Sequence, residues 1–223
     1  YSERTLPWTD ARLSPMLASR QTGIKPDENG FAIGGGDAIP YAFPNRKAAA
    51  ATISWMMNPN PLRTANLRAP YGQGRCFATE SQMDEMAVAA GTDPVAFRLQ
   101  YLAENTRAAD VLRAAADEAG WRPRPSRAPG GSGKIATGRG VAISGLAGTV
   151  VAQVADVEVD RSTGKVTVKK VTVAHDCGII VNPDGLRNQI EGNVIQGASR
   201  ALLEEVDFDA AGVRNLNWAS YPI

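Results

Sequence analysis

The sequence predicts an α+β fold in which a helical segment is followed by a β-sheet packed with a long C-terminal helix. Three observations carry that expectation. Apolar residues recur at helical spacing between Ser81 and Ala119, the period shortens to two from about Gly138 to His175, and a helical pattern returns from Leu186.

Residues 1–66 are rich in Pro, Gly and Asn, including GGGDAIPYAFPN and MMNPNPLR, so they read as extended segments and turns with at most a strand near Ala48 to Trp55. From Ser81 the character changes. Ser81 with Asp84 three residues on has the form of a capping box, Met83, Met86 and Val88 supply an apolar face, and Gly91 is a natural stop. Asp93 and Pro94 then form an N-cap and a first-turn proline. The helix they open has an apolar set, Val95, Phe97, Leu99, Tyr101 and Leu102, that only partly fits one helical face. A third helix, from about Arg107 to Ala119, places Val111, Leu112, Ala115 and Ala119 at helical spacing and stops at Gly120. Glu80, Glu85, Glu204 and Glu205 read as helix charges.

The stretch RPRPSRAPGGSGK, residues 122–134, is dominated by Pro, Gly and Ser and predicts a boundary between a first region, 1–121, and a second, 135–223. Beyond it GVAISG, TVVAQVADVEVD and KVTVKKVTVAHD alternate as strands do. RSTGK joins the last two, with Gly164 suited to the left-handed position of a short hairpin loop. Asn182-Pro183-Asp184 resembles an N-cap, after which residues 186–205 predict a helix with Ile190, Val194, Ile195, Leu202 and Leu203 on an apolar side.

With 223 residues, 43 % of them apolar, the chain is long enough for one large domain or two small ones. A net charge of +1, from 24 basic and 23 acidic residues mixed along the sequence, leaves no basic stripe to hold a nucleic acid or an anionic membrane. Two distant cysteines, Cys76 and Cys177, fit neither a disulfide scaffold nor an iron-sulfur site, and the single His175 excludes multi-histidine metal centres. A metal would have to arrive with a cofactor or another chain. No run approaches the roughly 20 apolar residues of a membrane span, and YSERTLPWTD lacks the pattern of a signal peptide. A start at Tyr1 and an abrupt end at NWASYPI predict a piece of a longer polypeptide.

Three stretches share a pattern. LRAPYGQGRCFATESQMDEMAVAAGTDPVAFRLQYL carries an arginine segment, then E-S-x-x-D-E and G-x-D-P-x-x-F-R helices. DVEVDRSTGKVTVKKVTVAHDCGIIVNPDGLRNQIEGNVIQGASRALLEE carries a strand pair ending in D-x-G-x-x-x-N-P and a Q-x-E-G-x-x-x-Q-G helix. GGGDAIPYAFPN adds Pro-Tyr and Pro-Asn. Together, over residues 34–119 and 139–223, they resemble the cofactor-binding large subunit of molybdenum hydroxylases, in the isoquinoline and nicotinate branch of the xanthine dehydrogenase and aldehyde oxidase family.

Gln189, Gly192, Gln196 and Gly197 are the candidate cofactor-binding residues. A glutamine offers an amide donor and a carbonyl acceptor, the pairing a pterin edge asks for, and adds no charge beside a phosphate. Gln189, Gly192, Asn193 and Gln196 share a helical face, and the glycines remove side chains where a ring system would approach. From the residues alone, the favoured reading is that the glycines bring helix and sheet together and the glutamines lie on the surface. The resemblance favours the cofactor, because it places the glutamines at the molybdopterin.

Arg68 is the candidate near the metal and substrate. A fixed planar cation suits developing negative charge, and the resemblance implies that place for it. The alternative is a structural arginine, because Ala69 stands where the family has glycine and GQGR where it has G-x-P-Q. Gly34–Gly36 reads as a turn rather than a phosphate cradle. A triad built on His175 and Asp176 is rejected, since they end a strand and no activated serine motif is present.

The resemblance implies a molybdopterin cofactor with molybdenum, in its cytosine dinucleotide form, and iron-sulfur clusters on a partner subunit. The partners it implies are the rest of the large subunit, an iron-sulfur subunit and a cytochrome c subunit. The reaction it implies is hydroxylation of an N-heterocycle or aldehyde with water as the oxygen source. The family's base glutamate lies in a Gly-x-Gly-Glu segment expected beyond Ile223, and Glu191 is not its counterpart, so no catalytic residue is expected in this chain and the chain alone should be inactive. The alternatives are a catalytically inactive scaffold or interaction module that keeps the fold, and a cofactor-free hydrolase built on His175 and Asp176. Substrate and compartment stay open.

Overall fold

The computed structural model describes residues 40–45, 69, 72–125, 132–146, 148–209 and 211–223. Arg68, Gly34–Gly36 and the strand expected near Ala48 to Trp55 lie outside the described residues.

Among the described residues three helices come first: α1 (Gly72–Ala89), α2 (Pro94–Tyr101) and α3 (Thr106–Glu118). The first begins nine residues before the expected start, so Ser81 lies inside it and caps nothing. Packing explains the extension. Thr79, Glu80, Met83 and Ala87 form a buried stripe at helical spacing, and its first members fall before Ser81. The stop is as expected: Gly91 adopts φ +62°, and Thr92 N–H returns to the Ala87 carbonyl at 2.9 Å. Asp93 caps α2 by accepting from Val95 and Ala96 N–H at 2.9 Å, with Pro94 in the first turn. Its second carboxylate oxygen takes Trp121 Nε1–H at 3.0 Å and Arg124 N–H at 2.9 Å, tying the end of the helical segment back to its middle.

The sheet is three antiparallel strands in the order β1 (Ile135–Leu146), β2 (Thr149–Asp160), β3 (Val166–Asp176). Val141 pairs with Val154 and Ile143 with Ala152, and these four are buried. The β2–β3 turn closes through Gly164 at φ +74°, whose N–H reaches the Asp160 carbonyl at 2.7 Å. α3 lies across β2 and β3, and α1 across β1. The small side chains Ala108, Ala109, Ala115 and Ala116, with Leu112, make the buried face of α3 and let it approach the sheet closely. One core therefore runs from Met83 and Leu112 into Val154.

Asn182 accepts Gly185 N–H at 2.9 Å and, with Pro183 in the first turn, starts α4 (Pro183–Leu202). None of its residues is buried, and β3 is the element it touches. The expected apolar side divides: Ile190 and Val194 are half-buried, whereas Ile195, Leu202 and Leu203 are exposed. A two-residue hairpin, β4 (Phe208–Asp209) and β5 (Gly212–Val213), follows. Among the described residues no helix is long and apolar enough to cross a membrane.

Candidate cofactor-binding site

Gln189, Gly192, Asn193 and Gln196 lie within about a 100° arc of α4, all of them exposed. Gly197 borders that arc and is half-buried. A Cβ built at Gly192 or Gly197 would meet nothing within 4 Å. Among the described residues, neither glycine brings helix and sheet together. Each glycine inside a helix costs about 0.5–1 kcal/mol against alanine, and among the described residues nothing fills the space beside these two. Asn193 Nδ2 donates to the Gln189 carbonyl at 2.6 Å, so that side chain is occupied with the helix backbone.

The loop that launches α4 is anchored at Asp176. Arg107, in the first turn of α3, donates from Nε to Asp176 Oδ2 at 2.6 Å and from Nη2 to Oδ1 at 2.8 Å. It also donates to the Asp176 carbonyl at 3.1 Å and to the Gly148 carbonyl at 2.5 Å. Asp176 Oδ1 takes Gly178 N–H at 2.9 Å, and Gly178 adopts φ +80°. Arg107, with help from that N–H, holds the Asp176 carboxyl well below the usual carboxylate range. A shallow cleft of about 420 Å³ opens here, lined by Thr106, Arg107, Val111, Ala174 and Asp176 among others.

The His175–Asp176 triad does not assemble. His175 Nδ1 is buried without a hydrogen-bond partner among the described residues, and the Asp176 carboxylate is held by Arg107. No group of three or more His, Cys, Asp or Glu among the described residues is placed to hold a metal ion. Ala69 has φ 60°, in the left-handed region that disfavours a side chain by about 1–2 kcal/mol. The resemblance puts glycine at this position, so the departure seen in the sequence falls where the backbone wants one.

A polar node was missed by the sequence reading. Glu80 is not a surface helix charge: it is 5 % exposed and accepts from Tyr41 Oη–H at 2.9 Å, Arg98 Nε–H at 2.9 Å and Ile143 N–H at 3.0 Å. Arg98, fully buried, also donates to Asp84 at 2.7 Å and to the Glu80 and Pro94 carbonyls. Burial pushes the Glu80 carboxyl up while Arg98 pulls it back. The node ties Tyr41, α1, α2 and β1 into one body. Its signal was present in the sequence: Arg98 occupies the core position of the α2 face, which is why the apolar pattern there fitted so poorly.

Helices, a three-stranded antiparallel sheet and a C-terminal helix make an α+β molybdopterin-binding domain. Residues 78–223 match the family described as molybdopterin cofactor-binding domain. The chain is 40 % identical over 223 aligned residues to a subunit of nicotinate dehydrogenase from Pseudomonas putida, covering 94 % of this chain and 18 % of that protein. It is 35 % identical over 216 residues to the beta subunit of isoquinoline 1-oxidoreductase from Brevundimonas diminuta, covering 96 % of this chain and 25 % of the relative. A third relative, 31 % identical, is a membrane-bound aldehyde dehydrogenase of Gluconacetobacter polyoxogenes, of which the chain spans 27 %. The chain thus belongs to the molybdopterin cofactor-binding domains of the xanthine dehydrogenase and aldehyde oxidase family of oxidoreductases, and it spans about a quarter or less of the length of the first two relatives.

Proposed function

We propose that this chain is a portion of a molybdenum hydroxylase large subunit whose α4 presents Gln189 and Gln196 to the pterin, with Gly192 and Gly197 clearing room for it. The observation that carries this reading is the open space beside both glycines. Bound there, molybdopterin, in the proposed cytosine dinucleotide form, would supply the metal centre for oxidising an N-heterocycle or aldehyde with water as the oxygen source. The chain's own part is to bind and orient. Glutamine amides donate and accept along a heterocycle edge, and an uncharged helix face avoids repelling a phosphate. Arg68 is proposed at the edge of the site, where a planar cation orients an electron-rich substrate atom. The catalytic base is proposed outside residues 1–223, and the electron exit on an iron-sulfur partner and a cytochrome c subunit.

The rest of the large subunit is the proposed cover for the apolar residues the C-terminal part exposes, among them Ile179 at 94 % and Trp218 at 79 %. The test is the pair Gln189→Ala and Gln196→Ala in the complete enzyme. Each removes one amide, about 0.5–1.5 kcal/mol for a neutral bond and more if a buried partner is stranded. Purified double variant should hold clearly less molybdenum and pterin than the unaltered enzyme, and unchanged content would refute the assignment. A scaffold that kept the fold and lost catalysis would carry no stoichiometric molybdenum in the complete native complex. By the same reading, residues 1–223 expressed alone should carry neither molybdenum nor hydroxylase activity towards nicotinate, isoquinoline or benzaldehyde.

A further inference from the structure

α4 presents a difficulty of orientation. A helix whose face must meet a ligand needs its direction fixed, yet no residue along α4 is buried. Its direction is set by its limited contact with β3, with residues such as Ile190 and Val194 half-buried, and by its origin in the loop Cys177–Asn182. That loop starts at a residue gripped from two other elements: Arg107 joins the first turn of α3, the β1–β2 turn at Gly148 and the end of β3 at Asp176 through four hydrogen bonds. Asp176 passes the constraint forward by taking Gly178 N–H, and Asn182 completes it by capping the helix.

We propose that Arg107 is a positioning residue for the cofactor: by clamping Asp176 it sets the direction in which the Cys177–Asn182 loop launches α4 and aims its glutamine face. The proposal rests on the cofactor reading above. A guanidinium suits the role because its planar fork grips both carboxylate oxygens while further N–H contacts reach the carbonyls of Gly148 in the β1–β2 turn and Asp176 at the end of β3, which a lysine ammonium cannot do from one position. Asp110, the other acid on the cleft wall, is paired with Arg113 at 2.8 Å and does not compete for Arg107.

The test uses the complete enzyme carrying Arg107→Gln, Arg107→Lys or Asp176→Asn. The asparagine keeps an oxygen for Gly178 N–H while losing the charge that Arg107 grips. Amide hydrogen exchange over residues 177–190, exchange in β1 and β2, and pterin and molybdenum content per complex are measured together. Arg107→Gln and Asp176→Asn should speed exchange over 177–190, leave β1 and β2 protected, and weaken pterin retention by about tenfold, the scale for losing a partner that orients a ligand-bearing group. Arg107→Lys should fall between them and the unaltered enzyme. Unchanged exchange over 177–190 overturns the clamp, and loss of protection in β1 and β2 as well makes the role one of general stability and overturns positioning. Faster local exchange with full pterin content also overturns positioning if the double glutamine variant loses pterin. If the glutamine variant keeps its pterin too, the cofactor reading falls first and this proposal falls with it.

Discussion

Residues 72–176 and residues 177–223 are built on opposite principles. The first region buries a contiguous core through three helices and three strands, and sets a charged node inside it. The second has no buried residue among those described, although it contains Ile179, Val181, Ile195, Leu216 and Trp218, all at least 70 % exposed. What order it has is local: the Asn182 cap, the β4–β5 hairpin, and Tyr221 Oη–H donating to Glu204 at 2.9 Å. Apolar content is therefore a poor guide to where a chain is stable by itself. The first region meets its own apolar surface, and the second presents its apolar surface outward.

That contrast can be broken most forcefully at the node. Glu80→Ala would take the Nε partner from the buried Arg98, leaving it the half-exposed Asp84 as its charge partner. It would also leave Tyr41 Oη–H and Ile143 N–H without their acceptor. Breaking a buried pair costs about 3–5 kcal/mol, so urea unfolding of the chain should show a loss approaching that order. Adding Arg98→Met should restore much of it, because an apolar side chain of similar length does not need the carboxylate. A loss below about 1 kcal/mol would mean that the node is wet and contributes little to the first region.

A matched pair of truncations sharpens the comparison. Leu112, with no exposed surface, should cost about 2–5 kcal/mol when cut to alanine. Ile195, 70 % exposed, should change stability by no more than about 0.5 kcal/mol in the chain by itself. Equal effects in thermal or urea unfolding would remove the distinction between the two regions.

A smaller effect is confined to alkaline pH. Burial, then the nearby Glu80 carboxylate, pushes the Cys76 thiol up to about 11, against about 8.5 for a free thiol. The folded state therefore keeps its proton where the unfolded state has lost one. Stability from this group is complete below about pH 8.5 and is lost as pH rises towards 11. For a partly buried thiol this amounts to roughly 1–3 kcal/mol. Cys76→Ala should flatten the decline measured by unfolding between pH 8.5 and 11, and an unchanged slope would assign the alkaline sensitivity elsewhere.

Much of the architecture was legible because its signals are local. Asp93-Pro94, Asn182-Pro183 and the glycines at 91, 120 and 164 announce starts and stops through cap hydrogen bonds and positive φ angles. The start of α1 was not legible, since Ser81 looks like a cap while the buried stripe that holds the helix begins earlier, at Thr79 and Glu80. Glu80 and Arg98 misled for a related reason: a charge in the core looks in sequence like a charge on the surface until its partner, 18 residues away, is in place. The glutamine face of α4 could be named from its spacing and family pattern. Its anchor could not, because Arg107 and Asp176 are 69 residues apart and only the closure of the sheet against α3 brings them together.

The exposed length of α4 has one more consequence, which is that of a lever. At a rise of 1.5 Å per residue, Gln189 stands about 9 Å from the start of the helix at Pro183 and Gln196 about 20 Å. A tilt of about 5° at the origin would displace the first by roughly 0.8 Å and the second by roughly 1.7 Å. The first displacement already strains a hydrogen bond of about 2.9 Å, and the second, about twice as large, moves its partners well out of reach. On the proposed reading, any disturbance at the base of α4 should therefore reach a ring held by Gln189 and Gln196 unevenly, releasing it first at Gln196 and leaving it attached by the end nearer Gln189.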